Sequence, residues 1–237
     1  MTHPAPGDAV GAATLDRLAA APRYNRWMFE RLRPWLGDRV LEIGSGIGNL
    51  SEFLLDRSRV VLSDTDSFYL DRLRERFARH PHVSVVELRL PEFAGDLLSD
   101  RLDTVICLNV LEHVRDDMLS LSTVYRLLQP GGRLVLLVPA LPALYGSLDR
   151  ALGHFRRYTA GELRHIFAAT GFRTRHLEYF NLAGVPGWWF TGRVLRRTLI
   201  PTGALRWYDA LVPLFQLERF LPWRVGQSLI AVGEREA

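Results

Sequence analysis

An α/β fold built on a doubly wound, mainly parallel sheet is what this sequence predicts. Three observations carry it. Short apolar runs alternate with segments of helical periodicity from Arg39 to Pro139, the pattern of parallel strands joined by crossover helices. The run Val40-Leu41-Glu42-Ile43 leads into Gly44-Ser45-Gly46-Ile47-Gly48. Glycine adopts positive φ cheaply and has no Cβ, so this reads as a strand leaving through a tight turn on which a ligand can lie. Finally, Pro130-Gly131-Gly132 opens another buried run that ends at Pro139. In such sheets ligands bind at the carboxyl ends of the strands.

In chain order, residues 1–13 are small and read as a disordered tail, and 14–237 as one domain. Tyr24, Trp27, Met28, Leu32 and Trp35 recur at helical spacing and predict a helix over 23–35 packed on the core. The first strand is Arg39–Ile43, with a helix from the glycine turn to about Arg57. The second is Arg59–Ser63, ending at Asp64, and Asp66 caps a helix starting near Ser67. His82–Leu90 is the third strand, and Asp103–Asn109 the fourth, with Cys107 as a buried, inert residue. Glu112 and His113 follow, adjacent on a helix and so on different faces. A loop, Ala140–Tyr158, ends at a capping box, Thr159 to Glu162, which opens a helix over Leu163–Thr170. Phe172–Asn181 and Gln227–Glu234 are the last two strands.

Composition excludes several classes. The chain has 237 residues, 48% of them hydrophobic, enough for one sizeable core. One cysteine excludes an internal disulfide and fits a reducing compartment. No run reaches the roughly 18–20 apolar residues of a membrane span, and the first residues do not read as a signal peptide; a soluble cytoplasmic protein is expected. There is no lysine, which excludes Schiff-base chemistry. The net charge of +4 is spread without a basic run, so no nucleic acid partner is expected.

The spacing of the glycines selects among ligands. A dinucleotide turn wants G-x-G-x-x-G, and here Asn49 holds the last position. Glu42, two residues before Gly44, suits a cation better than a pyrophosphate. Asp64 stands where an acid can accept both hydroxyls of a ribose. With E-x-G-x-G-x-G, Asn109-Val110-Leu111-Glu112-His113-Val114 and Pro130-Gly131-Gly132 in that order, the chain resembles the class I S-adenosylmethionine (SAM)-dependent methyltransferases. That resemblance implies SAM as cofactor and a seven-stranded sheet whose seventh strand runs antiparallel between the fifth and sixth. It implies that Glu42, Gly44, Ser45, Gly46, Gly48, Asn49, Asp64 and Thr65 hold the cofactor, with Leu90 against the adenine in place of a missing acid. Tyr24 would meet the methionine part, and Asn109 and Val110 would lie near the transferable methyl. In related quinone-pathway O-methyltransferases this segment helps bind a divalent metal through an extra acid; Asn109 stands there instead, and no metal is expected.

The acceptor side is expected on the loop 140–158 and the segment Leu182–Arg224. His154 is the first candidate base and His113 the second. Arg156 or Arg157 can hold an anionic group, and Tyr158 can orient or stack on the acceptor. Tyr145, Asn181, Trp188 and Trp189 complete the expected acceptor contacts. Segment 182–224 carries Trp188, Trp189, Trp207 and Trp223, with Arg193, Arg196, Arg197, Arg206, Arg219 and Arg224 against only Asp209 and Glu218. Broken by Pro186, Pro201, Pro213 and Pro222, it reads as short amphipathic helices between strands six and seven. It can serve as a lid over a small apolar or lipid-like acceptor, as a homodimer surface, or as a peripheral membrane contact. Methyl transfer is the function expected. A protein of the same fold that binds SAM without transfer, such as a cyclase or an assembly partner, is the alternative. A nicotinamide oxidoreductase is disfavoured by Asn49.

Overall fold

The structure is a computed structural model, and it describes residues 9–199, 202–220 and 225–236. Its centre is one seven-stranded sheet in the order β3-β2-β1-β4-β5-β7-β6. The strands are β1 (Arg39–Ile43), β2 (Arg59–Asp64), β3 (Val83–Glu87), β4 (Leu102–Leu108), β5 (Leu128–Pro139), β6 (Phe172–Phe180) and β7 (Ser228–Arg235). The first five are parallel, and β7 runs antiparallel between β5 and β6.

Alternation along the strands feeds two apolar layers. On β5, Leu134, Leu136 and Val138 enter one layer and Val135 and Leu137 the other; on β7, Leu229 and Ala231 oppose Ile230 and Val232. The first layer is covered by α4 (Asp117–Leu127) and α6 (Ala160–Ala169), and the second by α2 (Pro22–Leu32) and α3 (Ser67–Phe77). Both faces of the central strands are thus buried, which is why those strands read as unbroken apolar runs.

Several boundaries differ from the sequence reading. Residues 9–13 open a helix, α1 (Ala9–Ala19), so the expected tail is shorter; residues 1–8 lie outside the described residues. The element after the glycine turn is a single 3-10 turn, Ser51–Leu54, and no α-helix. Only ten residues separate Gly48 from β2, and Ser51 is drawn inward to the Glu42 carboxylate at 2.5 Å. Glu112 and His113 also sit in a 3-10 turn, Leu111–His113. The acceptor loop contains a short helix, α5 (Ser147–Ala151). Thr159 and Glu162 do form the expected reciprocal cap, which starts α6 at Ala160.

The segment after β6 is helical: α7 (Gly184–Trp189), a π-turn over Phe190–Val194, α8 (Thr202–Phe215) and a 3-10 turn over Gln216–Phe220. Pro186 and Pro213 do not break it. Pro186 lies in the first turn of α7, where its nitrogen needs no helical partner, and Pro213 in the last turn of α8. Pro201, Pro222, Trp223 and Arg224 lie outside the described residues. Two acids fasten the segment to the rest of the fold. Asp209 Oδ1 accepts the Tyr24 N–H at the start of α2 (2.8 Å). Glu218 accepts the N–H groups of Asn181 (2.8 Å) and Leu182 (2.7 Å) just beyond β6.

Candidate active site

The carboxyl ends of β1, β2, β4, β5 and β6 open into one cavity of about 870 Å³, roofed by α1, α7 and α8. Its floor is the glycine turn. Gly44, Gly46 and Gly48 all have positive φ, and a Cβ on Gly44 would stand 2.4 Å from Val110. The turn is tied to β2, with the Gly44 and Ser45 N–H groups donating to Ser63 O (2.9 and 2.8 Å) and Gly46 N–H to Asp64 Oδ2 (2.9 Å). Asp64 Oδ1 also accepts the N–H of Thr65 (2.7 Å), so the carboxylate is held at the strand end.

Glu42 lies beneath this turn, buried, with burial pushing its carboxyl up to about 7 against the lowering effect of Ser51 and Ser45. A cation brought beside this carboxyl would favour its charged form. Tyr24, Ser45, Asn49, Thr65 and Leu90 line the same end, with Asn109 and Val110 where β4 stops. Asn109 has φ 53°, a left-handed geometry that asparagine tolerates. Gly48 lies behind the turn, where a Cβ would meet Phe77 at 2.9 Å, and it does not line the cavity.

The other end of the cavity is built on Asp149, which is fully buried. Its Oδ1 lies 3.1 Å from His154 Nδ1 and accepts Arg157 Nε–H at 2.7 Å. Its Oδ2 accepts the Gly146 N–H (2.9 Å) and Trp188 Nε1–H (3.2 Å). Arg157 also donates from Nη1 to Ala140 O (2.8 Å) and stacks over Trp188, while its Nη2 is buried without a partner. Glu112 is completely buried, both its oxygens lack hydrogen-bond partners, and burial pushes its carboxyl up to about 8. One of those oxygens is 3.9 Å from His154 Nε2. His113 packs edge-on against the His154 ring at 4.7 Å, and desolvation, then the charge of His154, hold it down at about 4. Glu112, His113 and His154 offer ligand atoms within 4.8 Å of one another, a set that could hold a metal ion.

His113, His154, Arg157, Asn181 and Trp188 therefore reach the cavity. Three expected acceptor residues do not. Tyr158 is buried in the core, its hydroxyl turned to Asp117 Oδ2 (3.1 Å), because the chain crosses beside β5 there. Tyr145 donates its hydroxyl to His154 O (2.7 Å) and so braces the loop from behind. Trp189 points outward, 49% exposed. Asn181 lines the cavity, but its amide is engaged by Gln227, Gly184 and Tyr208. Of the two expected arginines, Arg156 pairs with Asp117 (2.8 Å) and Arg157 lines the cavity.

Sequence reasoning missed Asp149, whose only signal was its place among aromatic and basic residues, and the cover supplied by α1. Leu15 and Leu18 line the cavity, and a Cβ on Gly46 would meet Leu15 at 3.0 Å. Asn49 and Asn25 donate to the α1 carbonyls of Leu15 (3.2 Å) and Leu18 (2.9 Å).

Comparison with known proteins bears on the fold and the cofactor class. The family model described as "Methyltransferase domain" matches residues 41–134. A Mycolicibacterium smegmatis relative, described as a "probable S-adenosylmethionine-dependent methyltransferase", is 30% identical over 170 residues, covering 69% of this chain and 63% of the relative. Residues 41–134 thus match a methyltransferase domain, and the chain is similar to SAM-dependent methyltransferases in sequence and shares their fold. The family's cofactor is SAM. The ubiquinone/menaquinone biosynthesis C-methyltransferase UbiE of Vibrio parahaemolyticus is 30% identical over 46% of this chain and 44% of its own. The chain thus spans less than two thirds of these curated relatives, and 6% of Dictyostelium discoideum polyketide synthase 42, to which it is 28% identical. Among solved structures, a SAM-dependent methyltransferase from Mesorhizobium loti superposes with a TM-score of 0.59 at 18% identity, covering 88% of this chain and 98% of that one. The cyclase SpnF shares the fold as well, with a TM-score of 0.58 at 16% identity over 91% of this chain and 81% of its own.

Proposed function

We propose that this methyltransferase transfers the SAM methyl group to a small, apolar acceptor seated between Trp188, His154 and Arg157. The observation that carries the reading is the single cavity that joins the Glu42–Asp64 end to the Asp149-centred end. SAM supplies an electrophilic methyl on a sulfonium, so the protein's task is alignment and exclusion of water.

At the cofactor end Glu42 attracts the positive charge, Asp64 accepts the ribose hydroxyls, and Leu88 and Leu90 offer an apolar wall to the adenine. At the acceptor end Asp149 takes the Nδ1 proton of His154 in a hydrogen bond, which leaves Nε2 free to accept a proton from an acceptor hydroxyl or acidic carbon. Arg157 Nη2 has a free N–H for an acceptor oxygen. Glu112 in its ionised form, 3.9 Å from His154 Nε2, can receive the proton relayed from His154 and become the neutral acid that its burial favours.

Calorimetric titration with SAM and S-adenosylhomocysteine, with NAD as control, tests the cofactor end. Micromolar binding of both adenosyl ligands and none of NAD is expected. A screen of apolar phenols, acids and isoprenoid lipids with labelled SAM then tests transfer. Tight SAM binding with no labelled product from any class would favour the non-transferring alternative.

A further inference from the structure

Helix α8 is apolar on two opposite sides. Leu205, Tyr208 and Val212 face inward, where Val212 is fully buried and Leu205 and Tyr208 line the cavity. Trp207, Leu211 and Leu214, spaced four and three residues apart, face solvent at 75%, 46% and 61% exposure. Leu217 and Phe220 continue that row beyond the helix at 51% and 69%. A helix that is apolar on its outer face needs a cover.

The charges decide which cover. Arg193, Arg196, Arg197, Arg206 and Arg219 are all exposed, and among the described residues none forms an ion pair. Both acids of the segment, Asp209 and Glu218, are turned inward onto backbone N–H groups. A second copy laid on this face would set arginines against arginines with no exposed acid from the segment to offset them. Nucleic acid would satisfy the arginines and leave the leucines wet. A bilayer carrying anionic headgroups satisfies both.

We propose that the outer face of α8 and the turns flanking it dock this protein on an anionic lipid surface. The turn between α7 and α8 also reaches both solvent and the cavity: Phe190 and Leu195 line the cavity and are 49% and 45% exposed. An apolar acceptor dissolved in the bilayer can pass from lipid to the Trp188 end of the cavity without crossing water. This last step rests on the methyl-transfer reading; the docking itself does not.

The test is co-sedimentation of the full chain with phosphatidylcholine vesicles, with and without phosphatidylglycerol, in the absence of cofactor and acceptor. Binding is expected to the mixed vesicles, to fall as salt is raised, and to be weak on phosphatidylcholine alone. The double substitution Trp207→Glu/Leu214→Glu, and separately Arg197→Glu/Arg206→Glu, should each lower partitioning by about tenfold or more. S-adenosylhomocysteine affinity should stay unchanged in both variants, which shows that they fold. Equal binding by wild type and both variants would overturn the proposal. So would absence of vesicle binding together with a concentration-dependent dimer that Trp207→Glu/Leu214→Glu dissociates, or displacement of bound vesicles by an oligonucleotide whose binding ignores that double substitution. Because vesicle binding needs no turnover, failure here leaves methyl transfer standing, and a failed acceptor screen leaves docking standing.

Discussion

Asp149 accepts hydrogen bonds from four directions, and each donor belongs to a different part of the acceptor wall: His154, Arg157, Gly146 and Trp188. Burial by itself would raise its carboxyl; those donors hold it below the usual carboxylate range. Asp149→Asn should therefore lower kcat by about 100-fold, the scale of a misplaced general base, with SAM affinity unchanged in calorimetry. A matching loss of SAM binding would mean that Asp149 acts on the fold at large. At the cofactor end, Asp64→Ala should weaken SAM and S-adenosylhomocysteine by about 1.5–3 kcal/mol, the range for hydrogen bonds to a charged group. Glu42 adds a pH dependence. Its carboxyl titrates at about 7, and only the ionised form attracts a cation. SAM affinity should rise as pH climbs through 7 and then level off, and Glu42→Gln should flatten the curve; an unchanged profile in that variant would remove Glu42 from the cation's seat.

At the scale of elements, α8 and α2 are joined by the Asp209–Tyr24 N–H bond, and that contact fixes the roof over the cavity. Asp209→Ala leaves a half-buried N–H unpaired and should cost about 1–3 kcal/mol, read as a lower denaturation midpoint at unchanged slope. Much of the element pattern was legible: strand ends at Ile43 and Asp64, the Asp66 and Thr159 caps, and the place of β7 were all readable from local chemistry or motif order. The 3-10 turn at Ser51–Leu54 was not. Helical composition there is overruled by the Ser51–Glu42 bond and by the short span to β2. The inward turn of Tyr158 was hidden for a similar reason. Its neighbours in sequence are polar and basic, and only the bridge between Ala140 and Tyr158 sends its side chain into the core.

For the whole molecule, buried carboxyls couple folding to pH. Glu42 and Glu112 have folded values near 7 and 8, above the ordinary glutamate value of 4.5. Between that ordinary value and those raised ones the folded chain holds protons that the unfolded chain has released. Stability contributed by these groups is thus present at acid pH and is lost as pH rises through about 8. Urea denaturation across that window should show the decline, and Glu42→Gln/Glu112→Gln should reduce its slope.

The sequence by itself determined the sheet, the glycine turn with its Glu42 and Asp64, and through them the cofactor class. Each of these rests on residues close together in the chain, where spacing and local chemistry suffice. Only the tertiary structure decided how the far end of the cavity is put together. Asp149, Glu112, Arg157 and Trp188 come from a short helix, a 3-10 turn, a loop and the segment between β6 and β7, and they meet because the sheet's carboxyl edge gathers those connections at one place. Which side of α8 faces water was settled the same way: its periodicity offers two apolar faces, and packing on α2 buries only one.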